Sequence, residues 1–79
     1  MLSDFINAAM RQAGYEMLSD GSYYGEISGF QGVWANARSL DACRKVLQEV
    51  LENWIVLGVR LGHTLPIVDS LDLNAKNVA

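Results

Sequence analysis

The residues able to do chemistry are few, and their neighbours argue against most of what they could do. His63 is the only histidine and Cys43 the only cysteine. Any Ser-His-Asp, Cys-His or His-metal arrangement has His63 alone to work with. His63 follows Gly62 where a helix should end, a position that suits capping or solvent exposure. Cys43 falls on an apolar stripe, with Arg44 and Lys45 pointing off it, so a buried inert thiol is expected. Asp20, Glu26, Asp41 and Glu52 are the carboxylates that could form a nuclease-type Mg²⁺ cluster. Such a cluster needs carboxylates on the inner ends of adjacent strands. Asp20 is better explained by a turn, Asp41 by the first turn of a helix and Glu52 by a solvated helix face. Trp34 and Trp54 could stack on bases, but no basic residues interleave with them, and core or interface packing fits them better. Gly25, Gly29 and Gly32 do not open a helix as a phosphate-binding loop must. No catalytic, metal-binding or cofactor-binding residue is therefore assigned, and the expected role is binding without catalysis.

Composition narrows the partner. The chain has 79 residues, read as one domain spanning 1–79, with 51% apolar residues. A domain of this size buries only about 60–65% of its unfolded surface. The apolar surplus therefore predicts self-association, as a dimer or a dimer of dimers, through strand edges or the N-terminal helix. The formal charge of −3 disfavours nucleic acid and anionic lipid and suits a basic partner. A single cysteine excludes an internal disulfide and fits a reducing, cytoplasmic setting. No signal-peptide pattern and no run of eighteen apolar residues is present, so no membrane association is expected.

The elements that must position these side chains follow from periodicity. Leu2, Phe5, Ile6, Ala9, Met10 and Ala13 recur at helical spacing, predicting a helix from Met1 or Ser3 to Ala13 with Gly14 as its left-handed C-cap. Tyr15–Leu18 reads as a strand, turned by Ser19-Asp20-Gly21-Ser22 into a second at Tyr23–Ile27. Ser28-Gly29-Phe30-Gln31-Gly32 is a tight connection to a third strand, Val33–Asn36. Ser39 is a good N-cap for a long helix whose stripe runs through Leu40, Cys43, Leu47, Val50, Trp54, Leu57 and Leu61. Val46, Leu51 and Ile55 widen that stripe, predicting burial over much of the helix circumference. Gly58 marks a close-packing point or an early end, and Gly62 the C-cap. Leu71–Asn74 alternates as a short last strand. The fold class is α+β in the order α-β-β-β-α-β, an antiparallel sheet with one long helix packed on one face.

The ordered series Asp20-Gly21, Tyr23 to Ile27, Ser28 to Val33 and Ser39 to Cys43 resembles the HicB-type antitoxin family. That family's pattern is an acidic-Gly turn, Tyr-x-(Gly/Ala)-x-(Ile/Phe), a Pro-x-x-Pro-Gly-(Cys/Val) loop and a Ser/Thr-Leu-x-x-(Ala/Cys) helix start. Ser28 and Gln31 stand where the family loop has prolines, which leaves this loop less rigid. The resemblance runs from about Tyr15 to about Leu73 and implies a truncated ribonuclease-H-like unit. It further implies a partner, the small basic ribonuclease toxin HicA, whose messenger-RNA cleavage such a domain blocks. Complete HicB proteins usually carry a C-terminal DNA-binding segment, and the stretch after Leu73 is too short for one, so direct DNA binding is not expected. The partner-binding residues expected for this chain are Asp20, Glu26, Ser28, Phe30 and Gln31, grouped on one acidic surface. The alternative role is an orphan HicB-like oligomeric scaffold, without a toxin, that binds another ligand or protein.

Overall fold

The computed structural model describes residues 2–72. Helix α1 (Leu2–Arg11) leads into strand β1 (Ala13–Met17), followed by β2 (Tyr23–Ile27), β3 (Trp34–Ala37) and the long helix α2 (Leu40–Leu61). The three strands form an antiparallel meander in the order β1-β2-β3, with Tyr15 opposite Gly25 and Gly25 opposite Ala35. Among the described residues no helix is long and apolar enough to cross a membrane.

Strand alternation splits the sheet into two unlike faces. The inner face carries Ala13, Tyr15, Ile27 and Ala35, and α2 packs against it through Cys43, Leu47, Leu51 and Ile55. Gly25 sits under that contact. A Cβ there would lie 2.8 Å from the Tyr15 ring and 3.2 Å from the Cys43 sulfur, so only hydrogen fits beneath them. Helix α1 adds Phe5, Ala8 and Ala9 to the same core. A chain of three rings ties the elements together: Phe5 lies 6.1 Å edge-on from Phe30, and Phe30 lies 5.2 Å from Trp54.

The ends of α2 follow local chemistry. The Ser39 hydroxyl accepts a hydrogen bond from the Ala42 N–H at 3.1 Å, satisfying one orphan donor of the first turn. Gly62 takes a left-handed conformation at φ 73°, and the His63 N–H returns to the Gly58 carbonyl at 2.9 Å. Gly58 is a close-packing point, since a Cβ there would meet Leu65 at 2.9 Å. Leu65 and Val68 fold back onto the core. Val68 and Leu71 then close a tight turn through Asp69 and Ser70, both with positive φ, and Arg11 reaches Asp69 at 3.4 Å. Of the expected last strand, Leu71 makes this isolated bridge, and Leu73 and Asn74 lie outside the described residues.

Three expectations are corrected. Helix α1 ends at Arg11, and Gly14 lies within β1 with no positive φ. The Gln12 N–H closes a short turn on the Ala9 carbonyl, and the chain enters the strand directly. Ala13, the last member of the helical stripe, is also the first inward residue of β1, so its apolar character serves the sheet. Strand β3 starts one residue later than expected, because Val33 is buried in the connection before it. Helix α2 is not buried over much of its circumference: Leu40, Leu57 and Leu61 are exposed and Val50 and Trp54 are half-buried. A three-stranded sheet is wide enough to cover only one stripe of a helix this long.

Candidate partner-binding face

Among the described residues no helix lies on the outer face of the sheet. The register that sends Tyr15, Gly25 and Ala35 inward sends Gly14, Glu16, Tyr24, Glu26, Trp34 and Asn36 outward. Glu26 stands between Gly14 and Trp34, and Tyr24 between Glu16 and Asn36. The Trp34 ring stacks on Tyr24 at a centroid distance of 6.1 Å and an interplanar angle of 24°, yet stays 55% exposed. Such a ring is an exception to the rule that large aromatics are mostly covered. The Tyr24 hydroxyl donates to Glu26 Oε1 at 2.8 Å. That bond, followed by partial desolvation and the charges of Glu26 and Glu16, raises the Tyr24 pKa above its ordinary value and keeps the phenol protonated. The bond also fixes the Glu26 carboxylate beside the stacked rings. Two exposed carboxylates and two aromatic rings thus share one surface, with no cation among the six outward residues.

At one end of this face the β2–β3 connection forms a shallow rim. Ser28 and Gln31 are exposed there, beside Glu26, Tyr24 and Trp34. Three of the five residues expected at the partner surface, Glu26, Ser28 and Gln31, are therefore brought together. Phe30 is not available to a partner. It is 3% exposed, its ring held between Phe5 and Trp54, and its part is to anchor the loop to the core. Asp20 is not grouped with the others. It lies in the β1–β2 turn, at the opposite end of β2 from the Ser28–Gly32 connection. Its carboxylate accepts bonds from the Ser22 hydroxyl at 2.6 Å and the Ser22 N–H at 2.9 Å, which together hold its pKa below the usual carboxylate value. Asn36 extends the same network by donating to Ser22 Oγ and the Tyr23 carbonyl. The role of Asp20 is to shape the turn.

Glu16, Tyr24 and Trp34 were not among the expected site residues. Glu16 and Tyr24 were open to inference, since alternation places Tyr24 on the face of Glu26 and a hairpin register places Glu16 opposite Tyr24. Trp34 joins them only once the β2–β3 register is known, and its aromatic character argued for the core.

The other chemically able side chains stay apart. Cys43 is fully buried, its sulfur 3.7 Å from the Ala35 carbonyl, and burial pushes the thiol pKa up. His63 is exposed just beyond α2. Among the described residues no three His, Cys, Asp or Glu side chains come together as a metal site.

A family model described as UPF0150-like matches residues 4–66 of the chain. The crystal structure of TTHA0281 from Thermus thermophilus is similar to this fold, with a TM-score of 0.86 and 36% sequence identity, covering 92% of this chain and 91% of that one. Comparison with curated proteins finds no match.

Proposed function

We propose that this chain, which belongs to the UPF0150-like family, acts as a HicB-like antitoxin that masks a small basic ribonuclease and performs no catalysis itself. The observation that carries this reading is the uncovered outer sheet face, with exposed Trp34 stacked on Tyr24 and with Glu16 and Glu26 beside them. A surface built to hold RNA presents arginine and lysine. Carboxylates take arginine through charge-assisted, often bidentate hydrogen bonds, and aromatic faces take either cation. Packing them on a rigid sheet lowers the entropy lost on binding. The same acidic sign speeds encounter with a basic protein and repels RNA from the covered surface. Ser28 and Gln31 supply polar contacts at the rim.

The test uses a short basic ribonuclease encoded beside this chain and follows RNA cleavage as the chain is added. Wild type should suppress cleavage at a stoichiometric ratio. Trp34→Ala combined with Glu26→Lys should weaken suppression at least tenfold while the circular dichroism spectrum is unchanged. Equal suppression by the double variant at low salt would show that another face binds the toxin. Absence of any such ribonuclease from the source genome would end the antitoxin reading and leave the oligomeric-scaffold one.

A further inference from the structure

Helix α2 carries a second apolar stripe that the fold covers only in part: Val50 and Trp54 are half-buried, while Val46, Leu57 and Leu61 stay exposed. Val46, Val50, Trp54, Leu57 and Leu61 recur at intervals of three and four, rotated roughly 80° from the buried stripe of Cys43, Leu47, Leu51 and Ile55. Leu57 is 56% and Leu61 59% exposed, and Val46 is exposed as well. Helix α1 offers nothing comparable, because Phe5, Ile6, Ala8, Ala9 and Met10 are all spent on the core. From this stripe we infer that α2 pairs with α2 of a second copy, antiparallel, about a twofold axis near Trp54.

Two features of the helix select this occupant and this direction. The first is spacing. Val46, Val50, Leu57 and Leu61 are placed symmetrically about the midpoint between Asn53 and Trp54, so these four positions read alike from either end. An isologous contact needs this self-complementarity, since residue i must meet residue j while j meets i. Antiparallel pairing sets Val46 against Leu61 of the second copy and Val50 against Leu57. The second feature is charge. Glu49 and Arg60 lie about three turns apart on one flank of the stripe. Neither has an ion-pair partner among the described residues. A twofold axis between antiparallel helices brings this flank onto itself, so Glu49 of each copy approaches Arg60 of the other. In a parallel pair the flank would face Cys43, Leu47 and Leu51, which offer no charge. Leu57 and Leu61 then lose the water contact that the three-stranded sheet cannot remove. The outer sheet face stays free, so this pairing stands independently of the proposed toxin binding.

Sedimentation equilibrium of the full chain between about 5 and 200 µM tests the inference. Wild type should sediment as a dimer over most of that range. Leu57→Glu and Leu61→Glu change only exposed positions, and each should give a folded monomer. Charge exchange reads the direction. Glu49→Arg or Arg60→Glu alone should weaken the dimer severalfold, and the combined E49R/R60E chain should regain wild-type association. A wild-type monomer at 200 µM would overturn the pairing. So would dimers undisturbed by both leucine changes, which would place the contact elsewhere. Failure of the double exchange to restore association would overturn the antiparallel arrangement.

Discussion

The two faces of the sheet are made from the same fourteen strand residues and obey opposite rules. The inner face is built around small residues, Ala13, Gly25 and Ala35, so that α2 can approach closely enough for Cys43 and Leu47 to be fully buried. The outer face spends its largest side chains, Tyr24 and Trp34, on a surface that no helix covers among the described residues. The Trp34 ring is left exposed on the outside, while the centre of the inner face, at Gly25, is kept free of a side chain. Stability alone would favour the reverse, because burying a ring of this size stabilises by about 1.5–3 kcal/mol or more. Part of the fold's aromatic area is therefore left in contact with solvent, and substitutions on the two faces should separate changes in stability from changes at the exposed surface.

The largest effect expected is on the inner side. Leu47→Ala should lower unfolding free energy by about 2–5 kcal/mol, a large share of what a domain this small possesses. Urea titration followed by tryptophan fluorescence measures it, and a loss below about 1 kcal/mol would mean that α2 does not seal the sheet. Next comes a matched pair of glycines. Gly25→Ala forces a methyl against the Tyr15 ring and the Cys43 sulfur and should cost about 1–3 kcal/mol. Gly14→Ala, one strand away on the outer face, meets open space and should stay within about 0.5 kcal/mol of wild type. Equal thermal shifts for the two would erase the distinction between the faces. Trp54→Ala should match Gly25→Ala in size, at roughly half the 3–5 kcal/mol of a fully buried aromatic, since the ring is only half-covered.

The smallest effect is electrostatic. Asp20 should titrate below the usual carboxylate range in NMR-monitored acid titration, and Ser22→Ala should bring it back up. Because its folded-state pKa is depressed, its contribution to stability is present above the unfolded value of about 3.9 and disappears as pH falls through the folded one. Its full exposure keeps that contribution small. An unshifted Asp20 would show that the turn network is not held in solution.

How much of this was legible in the chain depends on which physical signal each element used. Tyr23–Ile27 and the span from the Ser39 cap to the Gly62 cap rest on local chemistry, β-propensity and helix-end hydrogen bonds, and the structure has them at those residues. The junction at Ala13 was ambiguous, because an apolar residue there satisfies both a helical period and a strand alternation. The burial of α2 could not be read from its stripe alone. Apolar spacing shows which residues share a face, and the width of the opposing sheet decides how many are covered. The site was half legible: charge and turn composition pointed to Glu26, Ser28 and Gln31. Phe30 was misplaced because its loop doubles back onto α1, a contact between residues far apart in sequence.

The tether between Arg11 and Asp69 spans 58 residues of chain, whereas the sheet and α2 are joined by short connections between neighbours in sequence. Loop-closure entropy makes the neighbouring contacts faster to form, so β2, β3 and α2 can assemble as one contiguous unit. Helix α1 and the turn at Asp69 and Ser70, joined by a contact of long sequence separation, are expected to close over it later. Amide exchange in the native protein should retrace this order, with α1 and residues 65–71 opening as one cooperative unit while the Cys43–Ile55 stretch holds until global unfolding. Joint exchange would make α1 and residues 65–71 one cooperative unit despite the 58 residues between Arg11 and Asp69.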